Sequence, residues 1–319
     1  MSLKVFLKVV EIQTKLASLF PFAIGVLFSI AYFKQFQLGY TLLFFIGMVV
    51  FDMATTAINN YMDFKKAKST VYKYEENIIG SSGVSPELVR NMILGMIAFT
   101  AIIGIFLTVK TGWLFLVLGG ICCFIGVFYT FGPIPLSRMP LGEVFSGFTM
   151  GLGIFAMTIY LNVMSNRPFY LSFDWQKGNF ALVGNFWTVL AVVLASLPMV
   201  FTIANIMLAN NLRDLDTDIE NHRYTLVYYI GRKQGVMLFQ LMMLACYLVI
   251  LIGLLVGVYR WPILIVFLSL LPIRKNLQLF KEELPHPKSF GYSIKNLILF
   301  NGSYLLGLLM IIILEKITK

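Results

Sequence analysis

The sequence predicts an all-α fold: a polytopic membrane bundle of about nine transmembrane helices, with its reactive groups at the cytoplasmic helix ends. Three observations carry that prediction. Of the 319 residues, 59% are hydrophobic and 13% charged, with a mean hydropathy of +0.83, which leaves too few charges to clothe a soluble globule. Apolar runs of about twenty residues, the length of helix that crosses a bilayer, recur from end to end. Those runs are continuous rather than alternating, which selects helices over a barrel.

Taken in order, the runs place spans at roughly 16–35, 39–62, 88–109, 112–131, 142–164, 187–211, 235–257, 260–278 and 292–314. The first lacks a small-residue cleavage site and is long enough to span, so it reads as a retained helix. Residues 1–15, with Lys4, Lys8, Glu11 and Lys15 at helical spacing, read as an amphipathic interfacial anchor. Residues 165–186, with Trp175 and Trp187, read as an interfacial belt on the outer side. Residues 274–291 read as a basic, Pro-containing connection. The nine spans fit one domain over 1–319, capped on the cytoplasmic side by loops 64–87, 132–141 and 212–234.

A net charge of +10 would suit nucleic acid only on an exposed basic surface, and this chain has little aqueous mass to supply one. The positive-inside rule explains the excess better. With the N-terminus in the cytoplasm, 18 of the 25 Lys and Arg fall on inside segments. That predicts a cell-membrane protein with its N-terminus inside and its C-terminus outside. Cys122, Cys123 and Cys246 fall within spans and fit small apolar packing rather than disulfides or metal.

Two stretches break the oily pattern: Asn59-Asn60-Tyr61-Met62-Asp63 and Asn210-Asn211-Leu212-Arg213-Asp214-Leu215-Asp216-Thr217-Asp218. Each begins as an apolar run ends, and each precedes a basic loop. Asn59 and Asp63 are four apart, as are Asp214 and Asp218, so each pair shares a helix face. An Asp at mid-bilayer costs roughly 3 kcal/mol, so acids brought to two helix ends on one side suggest joint use. Hard oxygen ligands completed by phosphate are what Mg²⁺ prefers. Asn59, Asp63, Asp214 and Asp218 are the candidate ligands. A zinc site has no support, because His222 and His286 are loop residues and the thiols lack ligand spacing.

Each feature also has a plainer reading. Asp52, Thr56 (or Thr55), Asn59 and Asp63 form a polar stripe that could be helix–helix glue, with Asp52 paired to a basic partner. The three Asp of 214–218 could simply open a helix. Arg213, Lys65, Lys66 and Lys68 could hold phosphate, although inside loops are basic whatever the function. Segment 128–143 is a Pro-stiffened turn, from which Tyr129 and Arg138 could reach a ligand.

Taken together, these segments resemble the UbiA-type intramembrane aromatic prenyltransferases over nearly the whole chain. Asn59–Asp63 is similar to the family's first Asp-rich motif and Asp214–Asp218 to its second. Asn210-Asn211-Leu212-Arg213-Asp214, the Tyr129-to-Glu143 turn and Ala17-Ser18-Leu19-Phe20-Pro21 resemble the naphthoate branch, which serves menaquinone synthesis. Asn60 stands where relatives commonly carry Asp, and Glu11-Ile12 where they often carry Arg-Pro.

The resemblance implies Mg²⁺-dependent transfer of a polyprenyl group from its diphosphate to 1,4-dihydroxy-2-naphthoate, with loss of CO₂. The residues it implies as catalytic are Asp63, Asp214 and Asp218. Asn59, Asn60, Lys66, Tyr129, Arg138, Asn211 and Arg213 would contact substrate, and Lys15 would hold the acceptor carboxylate. The expected partners are the two substrates and membrane lipid, with no nucleic acid. Another acceptor such as 4-hydroxybenzoate is an alternative within the family. A secondary transporter is the alternative outside it, though transporter sites lie at broken helices near the midplane.

Overall fold

The computed structural model describes every residue except 68, 130–134, 166, 221 and 319. Helices dominate: α1 (Leu3–Val9), α2 (Leu16–Phe28), α3 (Leu38–Lys66), α4 (Ile78–Ser81), α5 (Pro86–Thr111), α6 (Trp113–Phe128), α7 (Gly142–Ser146) and α8 (Ile154–Asn162). A hairpin follows, β1 (Phe169–Asp174) and β2 (Asn179–Gly184). Then come α9 (Phe186–Arg213), α10 (Leu215–Glu220), α11 (Leu226–Leu255), α12 (Leu270–Glu283) and α13 (Lys288–Ile317).

Among the described residues, eight helical segments are long and apolar enough to cross a membrane. The expected span at 112–131 is α6, whose 16 residues make about 24 Å of helix against a hydrocarbon core of about 30 Å. Three expectations need correction. The seventh span is the long helix that follows Gly231, close to the expected start, but a short helical stretch, 226–230, precedes it across a kink at that glycine (φ 80°, ψ 157°), where the sequence predicts loop. Residues 274–291 are almost all helical, with only 284–287 between α12 and α13. The belt at 165–186 contains antiparallel strands, Phe169 opposite Gly184 and Asp174 opposite Asn179.

One hairpin face carries Phe169, Leu171 and Phe173, as the two-residue period of a strand requires. Phe169 and Leu171 pack on the cluster around Phe115 and Tyr160. Phe173 meets Trp113 and Trp175, with ring centroids 6.2 and 5.2 Å away. The aromatic belt is therefore built on a folded hairpin.

The core lies where α9, α11 and α13 meet, around Phe239, Met243, Phe300 and Tyr304. Polar glue joins these helices. Asn205 Nδ2 donates to the Phe239 carbonyl at 3.0 Å, and Asn301 Nδ2 to Thr202 Oγ1 at 3.0 Å. A close backbone-to-backbone helix contact positions the site. The wide-turn segment Gly147–Gly153 joins α7 to α8 and lies against α9. A Cβ on Gly147 would sit 2.7 Å from the Val200 carbonyl oxygen, and one on Gly151 2.6 Å from the Val200 nitrogen. Only glycine lets these backbones touch.

The N-terminal lead-in is more than a surface anchor. Val9 and Val10 are fully buried in a cluster with Ala57, Ile79 and Val89.

Candidate active site

The acidic motifs close two long helices, α3 and α9, and their ends lie close together, since Arg138 and Arg223 act on a carboxylate of each motif. Asp63 is half-buried one turn before the end of α3, and among the described residues no ion pair closes on its carboxylate. Arg223, Arg138 and Lys66 act on it through space. Asn59, one turn earlier on the same face, has no hydrogen-bond partner among the described residues.

The second motif is more tightly bound. α9 ends at Arg213, and Asp214 leaves helical geometry (φ −93°, ψ 8°) before α10 starts. Asp218 donates its backbone N–H to the Asp214 carbonyl at 2.7 Å, so the two carboxylates lie one turn apart. Arg213 Nε donates to Asp214 Oδ1 at 2.6 Å and Nη2 to Asp214 Oδ2 at 2.5 Å, a two-point grip. The same Nη2 reaches Asn210 Oδ1 at 2.7 Å, and the guanidinium lies 5.1 Å from the Phe290 ring centre.

Asp218 is buried, with Arg223 Nη1 3.8 Å from its Oδ1. Burial raises the Asp218 carboxyl above the ordinary carboxylate range; Arg223 pulls it back, and neighbouring Asp214 pushes it up. Arg138 acts on Asp218 as well as on Asp63. Two arginines, 138 and 223, thus lie within electrostatic reach of carboxylates from both motifs.

The basic loop after α3 divides its work. Lys66 faces Asp63. Lys65 leans over the Tyr61 ring (6.0 Å) and Lys73 over Phe64 (4.9 Å), and Lys68 lies outside the described residues. Asn77 ties this loop down, donating from Nδ2 to the Asn60 carbonyl at 3.1 Å while its Oδ1 accepts from Ile79 N–H at 2.9 Å. Partial burial and the nearby Asp63 charge raise the Tyr72 phenol, which marks Tyr72 as a neighbour of the first motif.

Two expected site residues have other occupations. Lys15 is buried, and its ammonium donates to Asp52 Oδ1 (2.7 Å), the Asp52 carbonyl (3.0 Å) and Thr56 Oγ1 (2.6 Å). Ser18 Oγ donates to the other Asp52 oxygen at 2.5 Å. Three acceptors use all three ammonium protons, so none remains for a substrate carboxylate. The polar stripe of α3 is glue at that level, and Lys15 is the basic partner of Asp52. Asn60 turns away from the acids, donating from Nδ2 to the Val9 carbonyl (2.9 Å) and Glu11 Oε1 (3.2 Å), which holds the lead-in against α3.

Tyr129 donates its hydroxyl to the Gly142 carbonyl at 3.3 Å. Part of the turn beyond it, 130–134, lies outside the described residues, so the cap expected at 132–141 is described only from Pro135 onward. Asn211 donates from Nδ2 to Glu143 Oε1 at 2.8 Å, in a buried contact between α9 and α7. Sequence reasoning passed over Arg223 and Glu143. Arg223 was one basic residue in a basic loop, and its signal was the distance of five residues from Asp218. Glu143 ended the Tyr129-to-Glu143 turn at a span start, but nothing in the sequence marked its carboxylate as functional.

Residues 18–292 match the UbiA prenyltransferase family. The chain belongs to that family. It is 26% identical over 284 residues to the 1,4-dihydroxy-2-naphthoate octaprenyltransferase of Bacillus subtilis (strain 168), covering 86% of this chain and 81% of that one. The fold matches a UbiA homologue from Aeropyrum pernix K1 with a TM-score of 0.65 at 16% identity, over 92% and 98% of the two chains. It also matches a UbiA homologue from Archaeoglobus fulgidus bound to GPP and Mg²⁺, with a TM-score of 0.64 at 10% identity over 95% and 99%. This chain is thus a multi-pass membrane prenyltransferase of the UbiA family.

Proposed function

We propose that the protein transfers a polyprenyl group from its diphosphate to 1,4-dihydroxy-2-naphthoate, with loss of CO₂, at the ends of α3 and α9. The observation that carries this reading is the shared positive charge: Arg138 and Arg223 each lie within electrostatic reach of both Asp63 and Asp218. Acids and arginines in one cluster suit a ligand that brings phosphate and a divalent ion together. The similarity to the Bacillus subtilis enzyme supports the naphthoate acceptor. The whole chain would act as one domain, with the motif side cytoplasmic by the charge bias of the loops.

The donor set fits Mg²⁺. Asp63 has no direct partner among the described residues, Asn59 has a free amide one turn away, and Asp214 and Asp218 stand one turn apart. Among the described residues no three acidic, Cys or His side chains form a cage by themselves. Mg²⁺ rarely needs one, since it keeps waters and takes phosphate oxygens. When bound, it would neutralise charge developing on the diphosphate as the allylic C–O bond breaks.

The chain's own residues do the rest. Arg138, Arg223 and Lys66 place positive charge where the diphosphate would leave, which lowers the barrier most where water is excluded. Tyr129 could set its ring face beside an allylic cation. A groove of about 450 Å³ between α2, α3 and α13, lined by Phe22, Val26, Leu27, Leu42 and Phe45, suits a polyprenyl tail. Thr41 on its wall lies about 33 Å along α3 from Asp63, so a long chain anchored at the acids could run down to it.

The test is direct. Purified protein, Mg²⁺ and a long-chain prenyl diphosphate are offered a panel of aromatic acids, and the products are read by mass. The reading expects dihydroxynaphthoate to be prenylated and decarboxylated, with EDTA abolishing turnover. Preference for 4-hydroxybenzoate would move the acceptor assignment. Ion flux without prenylation would overturn the enzyme.

A further inference from the structure

Glu143 is the buried acid that the proposed chemistry leaves unused. It is 4% exposed, at the start of α7. Oε1 accepts from Asn211, while Oε2 is buried with no hydrogen-bond partner among the described residues. Its place is fixed on both sides. Glu143, Gly147 and Gly151 follow at four-residue intervals along the segment that touches α9. Asn211 lies three residues before Asp214, so the carboxyl stands about 4.5 Å, a little less than one helical turn, on the membrane side of the second acidic motif. Tyr129 is its neighbour, with the phenol bonded to the Gly142 carbonyl and within electrostatic reach of Glu143.

That level is where the reacting carbons would meet. With the diphosphate among Asp63, Asp214 and Asp218, the allylic carbon lies just below it towards the lipid, and the acceptor ring must come alongside. A buried oxygen without a partner is costly unless something supplies a proton donor. A phenolic acceptor brings one.

We propose that Glu143 is a catalytic residue whose Oε2 takes the hydroxyl proton of the aromatic acceptor and later returns it. This rests on the prenyl-transfer reading above. As the ring carbon bearing the carboxylate attacks, its π pair forms the new C–C bond, and the C–O pair leaves with the diphosphate. The neighbouring O–H pair becomes the C=O bond of a ketone, and the proton passes to Glu143. The carboxylate then departs as CO₂, its C–C pair restores the aromatic ring, and the oxygen recovers the proton from Glu143. No net proton, oxidant or reductant is required. Asn211, which grips Oε1, keeps Oε2 turned to the ring and is a positioning residue.

The experiment compares the full-length wild type with Glu143→Gln and Glu143→Asp on two acceptors. One is dihydroxynaphthoate; the other is a halogenated analogue whose hydroxyl is already ionised at the assay pH. Prenyl diphosphate with Mg²⁺ should raise the melting temperature of all three proteins alike. With dihydroxynaphthoate, Glu143→Gln should form product about 100-fold more slowly, the smaller end of what a general base contributes. With the pre-ionised acceptor the deficit should shrink to within about threefold. Glu143→Asp should fall between, with the same narrowing.

An equal deficit on both acceptors, or none on either, would overturn the proposal. Should Glu143→Gln fail to fold, the presence or absence of narrowing in Glu143→Asp decides alone. A wild type that prenylates no phenolic ring would overturn the acceptor reading and this proposal together, whereas the other outcomes overturn this proposal alone.

Discussion

Arg223 holds Asp218 at two points, donating its backbone N–H to the Asp218 carbonyl at 2.8 Å and setting its guanidinium 3.8 Å from the same residue's carboxylate. His222, in the left-handed region (φ 53°), turns the chain to make this possible. The same guanidinium acts on Asp63, the carboxylate of the other motif. One side chain thus links the ends of two helices far apart in sequence.

Removing that link should cost activity more than stability. Arg223→Gln is expected to lower kcat/KM by about tenfold to a hundredfold, the equivalent of one charge-assisted contact of about 1.5–3 kcal/mol. Thermal unfolding should move little, because the guanidinium is 39% exposed. Steady-state kinetics on membranes normalised for protein checks it.

The acid side of the pH profile should lie higher than ordinary carboxylates would place it. Burial raises the Asp218 carboxyl, so on falling pH it takes up its proton earlier than a free Asp would. Mg²⁺ binds the ionised form. Activity should therefore fall as pH drops through this raised value, and added Mg²⁺ should push the fall to lower pH. A profile of kcat/KM at two Mg²⁺ concentrations reads both.

Lys15 and Asp52 form a buried pair, with side chains 4% and 15% exposed. Breaking such a pair from one side leaves an uncompensated charge, at a cost of about 3–5 kcal/mol. Lys15→Met and Asp52→Asn should each lower the unfolding temperature in detergent, and the double change Lys15→Met/Asp52→Leu should recover most of it. The double variant should keep the KM for the aromatic acceptor, since every Lys15 proton already has an acceptor within the protein.

The contact between the segment after α7 and α9 has no room for one more carbon. Gly151→Ala should destabilise by about 1–3 kcal/mol, because the Cβ would meet the Val200 backbone at 2.6 Å. Gly119→Ala is the matched control: its nearest neighbour would be the Met157 sulfur at 3.9 Å. Unfolding temperatures of the two variants settle the comparison.

Much of this architecture was legible in the chain. Long apolar runs located the spans because hydrocarbon leaves the backbone no choice but helix. The two acidic stretches stood out because charge is rare among them. Sequence distance hid the rest. Lys15 and Asp52 are 37 residues apart, and nothing local says that one neutralises the other. The hairpin alternates Phe169, Leu171 and Phe173 on one face, but six residues per strand and a polar tip read as loop. Segments 215–220 and 226–230 are helical within a stretch whose charges suggested a free loop. Asn60 looked like a substrate contact by its position in a motif, yet its helix face points it at Val9 and Glu11.

The central claim is that Asp63 and Asp218 act on one divalent ion. A double-mutant cycle tests it most directly: binding of Mn²⁺ in the presence of a non-hydrolysable prenyl diphosphate, measured for wild type, Asp63→Asn, Asp218→Asn and the double variant. Groups that serve one site are coupled, so the double variant should bind little worse than the weaker single one. Losses that simply multiply, as for two independent sites, would contradict the account.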